Sequence, residues 1–125
     1  MQKSAYNIQE MNKLIQATKA IADENRALML HLIMQRECCV CEVMAVLSIS
    51  QTRASRNLGI LHKAGFLKVR KQGLWVHYSI DKKSMSDYLL SLLDSVEQGL
   101  SKNKQAQMDI RKLKQTDGAK ICCGK

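Results

Sequence analysis

SISQTRASRNLGILHKAGFLKVRKQGLWVHYSID, residues 48–81, decides the fold by its change of period. From Gln51 to Lys63 the apolar positions Ala54, Leu58 and Leu61 share one helical face, while Gln51, Thr52, Ser55, Arg56 and Lys63 lie on others. Ser50 suits the N-cap of that helix, and Gly65 suits the left-handed residue just past its end. Beyond Leu67 the period drops to two. Leu67 and Val69 alternate before Lys71-Gln72-Gly73, and Val76, Tyr78 and Ile80 alternate after it, which predicts a hairpin with Arg70 and Lys71 at its tip.

Upstream, Val40, Val43, Met44 and Leu47 have the i, i+3, i+4, i+7 spacing of a short helix, ended by Ser48-Ile49-Ser50. Two short helices with a three-residue break, then a basic hairpin, make a winged helix-turn-helix, mainly α with a β-hairpin wing. Residues 5–21 read as an amphipathic helix with Ile8, Met11 and Ile15 on one stripe. Asp23 caps an apolar, central helix through Gln35. A further helix from Ser84 carries Met85, Leu89, Leu92, Val96 and Leu100, more apolar surface than one small core needs, and points to a dimer. The expected layout is a DNA-binding and dimerisation domain over residues 1–100 and a basic extension over 101–125 ending in Cys122-Cys123. Met108, Ile110 and Leu113 leave open whether that extension is helical or flexible.

Composition narrows the class. With 125 residues, no Pro, five Cys and 46% apolar residues, the chain is one small domain, too short for most enzyme barrels or doubly wound folds. The richest apolar run, Ala27 to Met34, falls short of the roughly 18 residues of a membrane span. MQKSAYNIQE lacks a signal peptide's apolar stretch, so a cytoplasmic protein with thiols and no membrane partner is expected. The net charge of +9 is localised: residues 53–83 carry eight basic groups against Asp81 alone, whereas residues 1–52 balance. Such a block favours a phosphate backbone, hence double-stranded DNA. Gln51, Thr52, Arg53, Ser55 and Arg56 begin the helix that fits a major groove, and Arg70 and Lys71 sit where a wing meets backbone or minor groove. Trp75 and Tyr78 are expected to fill the hairpin rather than stack on bases.

ADENRALMLHLI, ECCVCEV and residues 48–81 together resemble the ArsR/SmtB family of metal-responsive repressors over roughly residues 5–100. The resemblance implies a homodimer, built from the first and last helices, that leaves a two-fold operator when a metal or metalloid binds. Ser48 stands at a turn position where that family often has Gly.

Three of the five cysteines fall in Cys38-Cys39-Val40-Cys41, and soft thiolates select arsenite, antimonite, Cd, Pb or Zn over Mg or Ca. His31, His62 and His77 are scattered singly and read as packing or surface residues. The resemblance extends to the CVC box of the arsenic-responsive branch, with Cys39 and Cys41 as its first two thiols and Met44 where that branch has its third. Cys38, or Cys122 or Cys123 from the tail, then completes the sulfur set. No Cys precedes residue 38, and the last helix lacks His, which sets aside the cadmium/lead and zinc patterns of the family and favours As(III) or Sb(III), with Cd(II), Pb(II) or Zn(II) repressors as the alternative. A cysteine redox-sensor repressor is another reading, and a soft-ion carrier has no use for Gln51 to Arg56. Enzyme activity is not expected, since no His is marked as a base for a nucleophilic Cys. On a regular helix residues i and i+2 point about 200° apart, so capture by Cys39 and Cys41 is expected to unwind their turn.

Overall fold

The computed structural model describes residues 5–116, and side chains from residue 8 onward. The helices are α1 (Ala5–Ile21), α2 (Glu24–Ile33), α3 (Val40–Leu47), α4 (Gln51–Ala64), α5 (Asp87–Leu100) and α6 (Lys104–Gln115). The strands are β1 (Cys38–Cys39), β2 (Lys68–Gln72) and β3 (Trp75–Ser79). The strands form one antiparallel sheet in the order β1-β3-β2, with Cys38 opposite Tyr78 and Cys39 opposite His77. This is the winged helix-turn-helix, with α3 and α4 as the helix pair and β2-β3 as the wing.

Local signals placed the element ends. Asp23 accepts from the Arg26 N–H at 3.0 Å, Ser50 accepts from the Arg53 N–H at 3.1 Å, and Gly65 takes φ 103° after α4. All of α2 from Leu28 to Ile33 is buried, making it the central helix, and it ends two residues before Gln35. Phe66, Met29, Leu30, Leu58, Leu61, Val43 and Leu93 fill the core around it.

The break between α3 and α4 turns at Ser48, whose φ 56° and ψ 50° make it the one non-glycine residue with positive φ among those described. An L side chain in that region costs about 1–2 kcal/mol, partly offset by the greater unfolded-chain entropy of Gly. Ser48→Gly is therefore expected to raise stability by about 0.5–1 kcal/mol. A thermal melt would show it as a higher midpoint.

Three expectations need correction. The hairpin turns at Gly73-Leu74, not at 71–73. Gly73 at φ 62° supplies the first position of a two-residue turn, so β2 runs on to Gln72, paired with Trp75. Arg70 thus lies inside β2 opposite His77, away from the tip. The last long helix does not start at Ser84. Asp81 accepts from the Lys83 N–H and its carbonyl from Ser84 Oγ, closing a single 3₁₀ turn over Lys82–Ser84 before Asp87 begins α5. The α5 stripe is also not the surplus apolar surface. Leu89 and Val96 are buried in the same chain, and four of the exposed apolar side chains, Ile8, Met11, Leu14 and Ile15, lie together on α1.

Within the extension, α6 packs on α2 and α3, with Leu113 in the core cluster. Lys112 Nζ donates to the Val46 carbonyl at 3.0 Å and Arg36 Nη2 donates to the Leu113 carbonyl at 3.2 Å, tying α6 to the end of α3 and to the segment preceding it. Cys122 and Cys123 lie outside the described residues.

Candidate functional site

ECCVCEV folds as a strand that turns directly into a helix. Cys39 is the N-cap of α3, in extended backbone at φ −90° and ψ 165°. Its N–H donates to Glu42 Oε1 at 2.9 Å, one arm of a reciprocal capping box in which sulfur replaces the usual hydroxyl. Glu42 is itself buried, and its Oε2 meets Arg36 Nη2 at 2.9 Å. The thiols therefore sit at a braced junction. Cys39 and Cys41 do not belong to one regular helix, and the expected 200° divergence does not apply to them, because α3 begins only at Val40 and Cys39 is its extended N-cap.

Alternation along β1 sends the neighbouring sulfurs to different places. Both Cys38 and Cys39 are buried, and Cys38 Sγ donates to the Arg36 carbonyl at 3.4 Å. Cys39 and Cys41 line one cavity of about 390 Å³, with Val40 and Met44 beside them. Gln51 and Ser55 at the start of α4 form a second wall, and Leu74, Trp75 and Val76 of the wing form a third. Among the described residues, no three His, Cys, Asp or Glu gather to hold a metal ion. The sulfur-bearing residues in its lining are Cys39, Cys41 and Met44.

Burial pushes the Cys38 thiol up to about 12, with the Glu42 charge adding to it. In the unfolded chain the thiol ionises near 9.0, so between there and about pH 12 the native state keeps a proton that the unfolded state gives up. Stability is expected to fall as pH rises through that window, by at most about 1.4 kcal/mol per unit from this residue. Denaturant melts from pH 8 to 11 should show a shallower decline in Cys38→Ala.

The basic block maps onto α4 and the wing. Gln51, Thr52, Arg53, Ser55, Arg56 and Lys71 are all exposed. Arg70 is held differently. Glu37 grips its guanidinium with both oxygens, at 2.8 and 3.2 Å, and Arg70 in turn holds the Glu37 carboxyl below its ordinary range. Sequence reasoning missed this pair, which spans 33 residues. It also missed the Arg26 staple, which donates from Nη1 to Asn57 on α4 and from Nε to the Ala20 carbonyl on α1. The Cys39-x-x-Glu42 spacing was a readable sign of the capping box, obscured by a Cys at the cap. Trp75 is half-buried with its ring 5.9 Å from that of His77, so it walls the cavity as well as filling the hairpin.

A model of the bacterial regulatory protein arsR family matches residues 23–69. The arsenic resistance transcriptional regulator ArsR2 of Pseudomonas putida KT2440 is 35% identical over 111 residues, covering 84% of this chain and 93% of that protein. The arsenical resistance operon repressor of Escherichia coli K12 is 45% identical over 67 residues, covering 53% of this chain and 57% of the repressor's length. Among solved structures, the homodimeric winged helix-turn-helix DNA-binding domain from Mycobacterium bovis superposes with a TM-score of 0.66 at 22% identity, covering 83% of this chain and 93% of that one.

Proposed function

Because the chain belongs to the arsR family of bacterial regulatory proteins, a family of transcriptional regulators and not of enzymes, we propose that it is a homodimeric repressor that releases operator DNA when arsenite or antimonite is captured by Cys39 and Cys41. The observation that carries this reading is the shared cavity: Cys39 and Cys41 line the same space as Gln51 and Ser55 of the DNA-reading helix and Trp75 and Val76 of the wing. On this reading residues 1–100 read DNA and dimerise, and α6 buttresses α3 from the extension. Gln51, Thr52, Ser55 and Arg56 address base edges or phosphates, while Arg53, Arg70 and Lys71 address phosphates.

Trivalent arsenic or antimony, when bound, supplies strong links between sulfur atoms. The chain's own residues convert capture into release. Glu42 fixes the Cys39 backbone, so a change at the sulfurs is felt at the α3 N-terminus, and the facing α4 and wing walls move against each other. Two recognition helices must fit grooves about 34 Å apart, so a small rotation in each protomer loses registry. A hundredfold loss of operator affinity needs a coupling of about 2.7 kcal/mol. The same thiols would serve Cd(II), Pb(II) or Zn(II). A redox sensor needs an accessible, acidic thiolate, and Cys38 is the opposite.

Fluorescence anisotropy with labelled operator tests the proposal. Arsenite is expected to release the unaltered dimer and to leave Cys39→Ser and Cys41→Ser dimers bound. Release of both variants at the same arsenite concentration as the unaltered protein would place the site elsewhere.

A further inference from the structure

We propose that the outward face of α6 is a second DNA-contact surface, gripping the phosphate backbone of the duplex that flanks the half-sites. This rests on the reading of the chain as a DNA-binding repressor and extends its footprint beyond α4 and the wing.

Charge is sorted across α6 by helical spacing. Ala106, Asp109 and Leu113 are buried, while Lys104, Met108 and Arg111, at i, i+4 and i+7, form an exposed stripe with Lys114 beside it. The helix's one acidic residue, Asp109, lies on the inner face, where Gln105 Nε2 donates to its Oδ1 at 2.9 Å and burial raises its carboxyl above the ordinary range. The outer face is therefore positive without offset. Among the described residues, no ion pair neutralises Lys104, Arg111 or Lys114, whereas Lys68 and Arg70 in the basic block are each held by a carboxylate.

Many basic helix faces are merely solvated, but this one is fastened to the reading unit. Lys112 Nζ donates to the carbonyl of Val46, in the last turn of α3 just before the Ser50 cap of α4. Arg36 Nη2 donates to the Leu113 carbonyl and also meets Glu42 of α3. In a helix-turn-helix the first helix crosses the DNA backbone while the second enters the major groove. Here α3 is that first helix, so α6 is mounted beside the element that runs over phosphates. Cations on a packed helix also lose less freedom on binding than cations on a loose tail. Because α1 packs on α4 and α5 whereas α6 packs on α2 and α3, α6 sits apart from the exposed α1 face and toward the flank of the site.

The test uses the full-length protein and a variant combining Lys104→Gln, Arg111→Gln and Lys114→Gln, which keeps the Lys112 tether. Each is titrated by anisotropy against a core operator trimmed to the wing contacts and against the same operator extended by about one helical turn at each end. Hydroxyl-radical footprinting on the extended duplex maps the protected backbone. The unaltered protein is expected to bind the extended duplex at least about tenfold more tightly than the core, with a salt slope steeper by about two per dimer, one phosphate per protomer. The variant should match the unaltered protein on the core, which shows that its fold and reading helices are intact, and should lose both the added affinity and the flanking protection. Equal binding of the unaltered protein to both duplexes, flanking protection that survives in the variant, or an equal loss on core and extended duplex overturns the inference while leaving the repressor reading in place. Failure of the unaltered protein to bind either duplex would defeat that reading as well.

Discussion

Glutamate at both Met11 and Ile15 should separate the protein into monomers and cost at least a hundredfold in operator affinity. On α1, Ala17 and Ala20 anchor the helix to the core, while Ile8, Met11, Leu14 and Ile15 stay 43–58% exposed. Fully burying one such side chain is worth about 1.5–3 kcal/mol, so in the proposed homodimer a patch of four per protomer would make a strong dimer surface. A two-fold axis doubles every substitution, and two changes put four carboxylates into one apolar interface, where desolvation and like-charge repulsion act together. These side chains lie outside the core cluster, so the monomer is expected to keep its fold. Sedimentation should report the monomer and far-UV circular dichroism an unchanged helix content. Half-site binding then loses the second reading helix, and a hundredfold loss corresponds to about 2.7 kcal/mol. A double variant that sediments as a dimer and holds operator normally would remove α1 from the interface.

What the sequence disclosed and what it hid divide by range. Asp23, Ser50 and Gly65 act on backbone groups within five residues, so their caps were readable from spacing alone. The core face of α4, Ala54, Leu58 and Leu61, was readable for the same reason. The tethers of α6 to α3 and to its approach run over 66 and 77 residues, and nothing in Lys112 or Arg36 marks a carbonyl as its target. The α5 stripe misled because periodicity reveals an apolar face without naming what covers it. Here α5 packs on α1 and α2 within one chain, and the open apolar face is on α1.

The candidate site shows the same division. The cluster 38–41 stands out in any reading of the chain, but which sulfur meets the cavity is set by β1 pairing with β3. One residue of register would exchange the positions of Cys38, which stays off the cavity, and Cys39, which borders it. The third wall is hidden in the sequence because Trp75 and Val76 join the cavity only after the hairpin folds back at Gly73-Leu74.

Raising salt from 50 to 200 mM should weaken operator binding by about 10³–10⁵, the loss expected of a protein that neutralises 6–10 phosphates. Arg53, Arg56, Lys63 and Lys71 on α4 and the wing are all exposed, and two protomers double them, which reaches that range. Two other cations of the block start at a disadvantage. Lys68 pairs with Asp81 at 3.0 Å and Arg70 with Glu37 at 2.8 Å, so each must give up a carboxylate before taking a phosphate. The exchange releases no net counterion at the protein when the carboxylate is left behind to recruit one. Lys71→Ala should therefore flatten the log–log salt slope by about two per dimer and weaken all sequences alike. Arg70→Ala should flatten it less. Arg56→Ala should weaken the operator more than unrelated duplex, because the start of α4 also reads bases. Anisotropy across five salt concentrations with operator and scrambled duplex separates these outcomes. Equal slopes for the unaltered protein and Lys71→Ala would take the wing off the phosphate backbone, and a steeper change at Arg70 than at Lys71 would mean that Glu37 releases its partner at no cost.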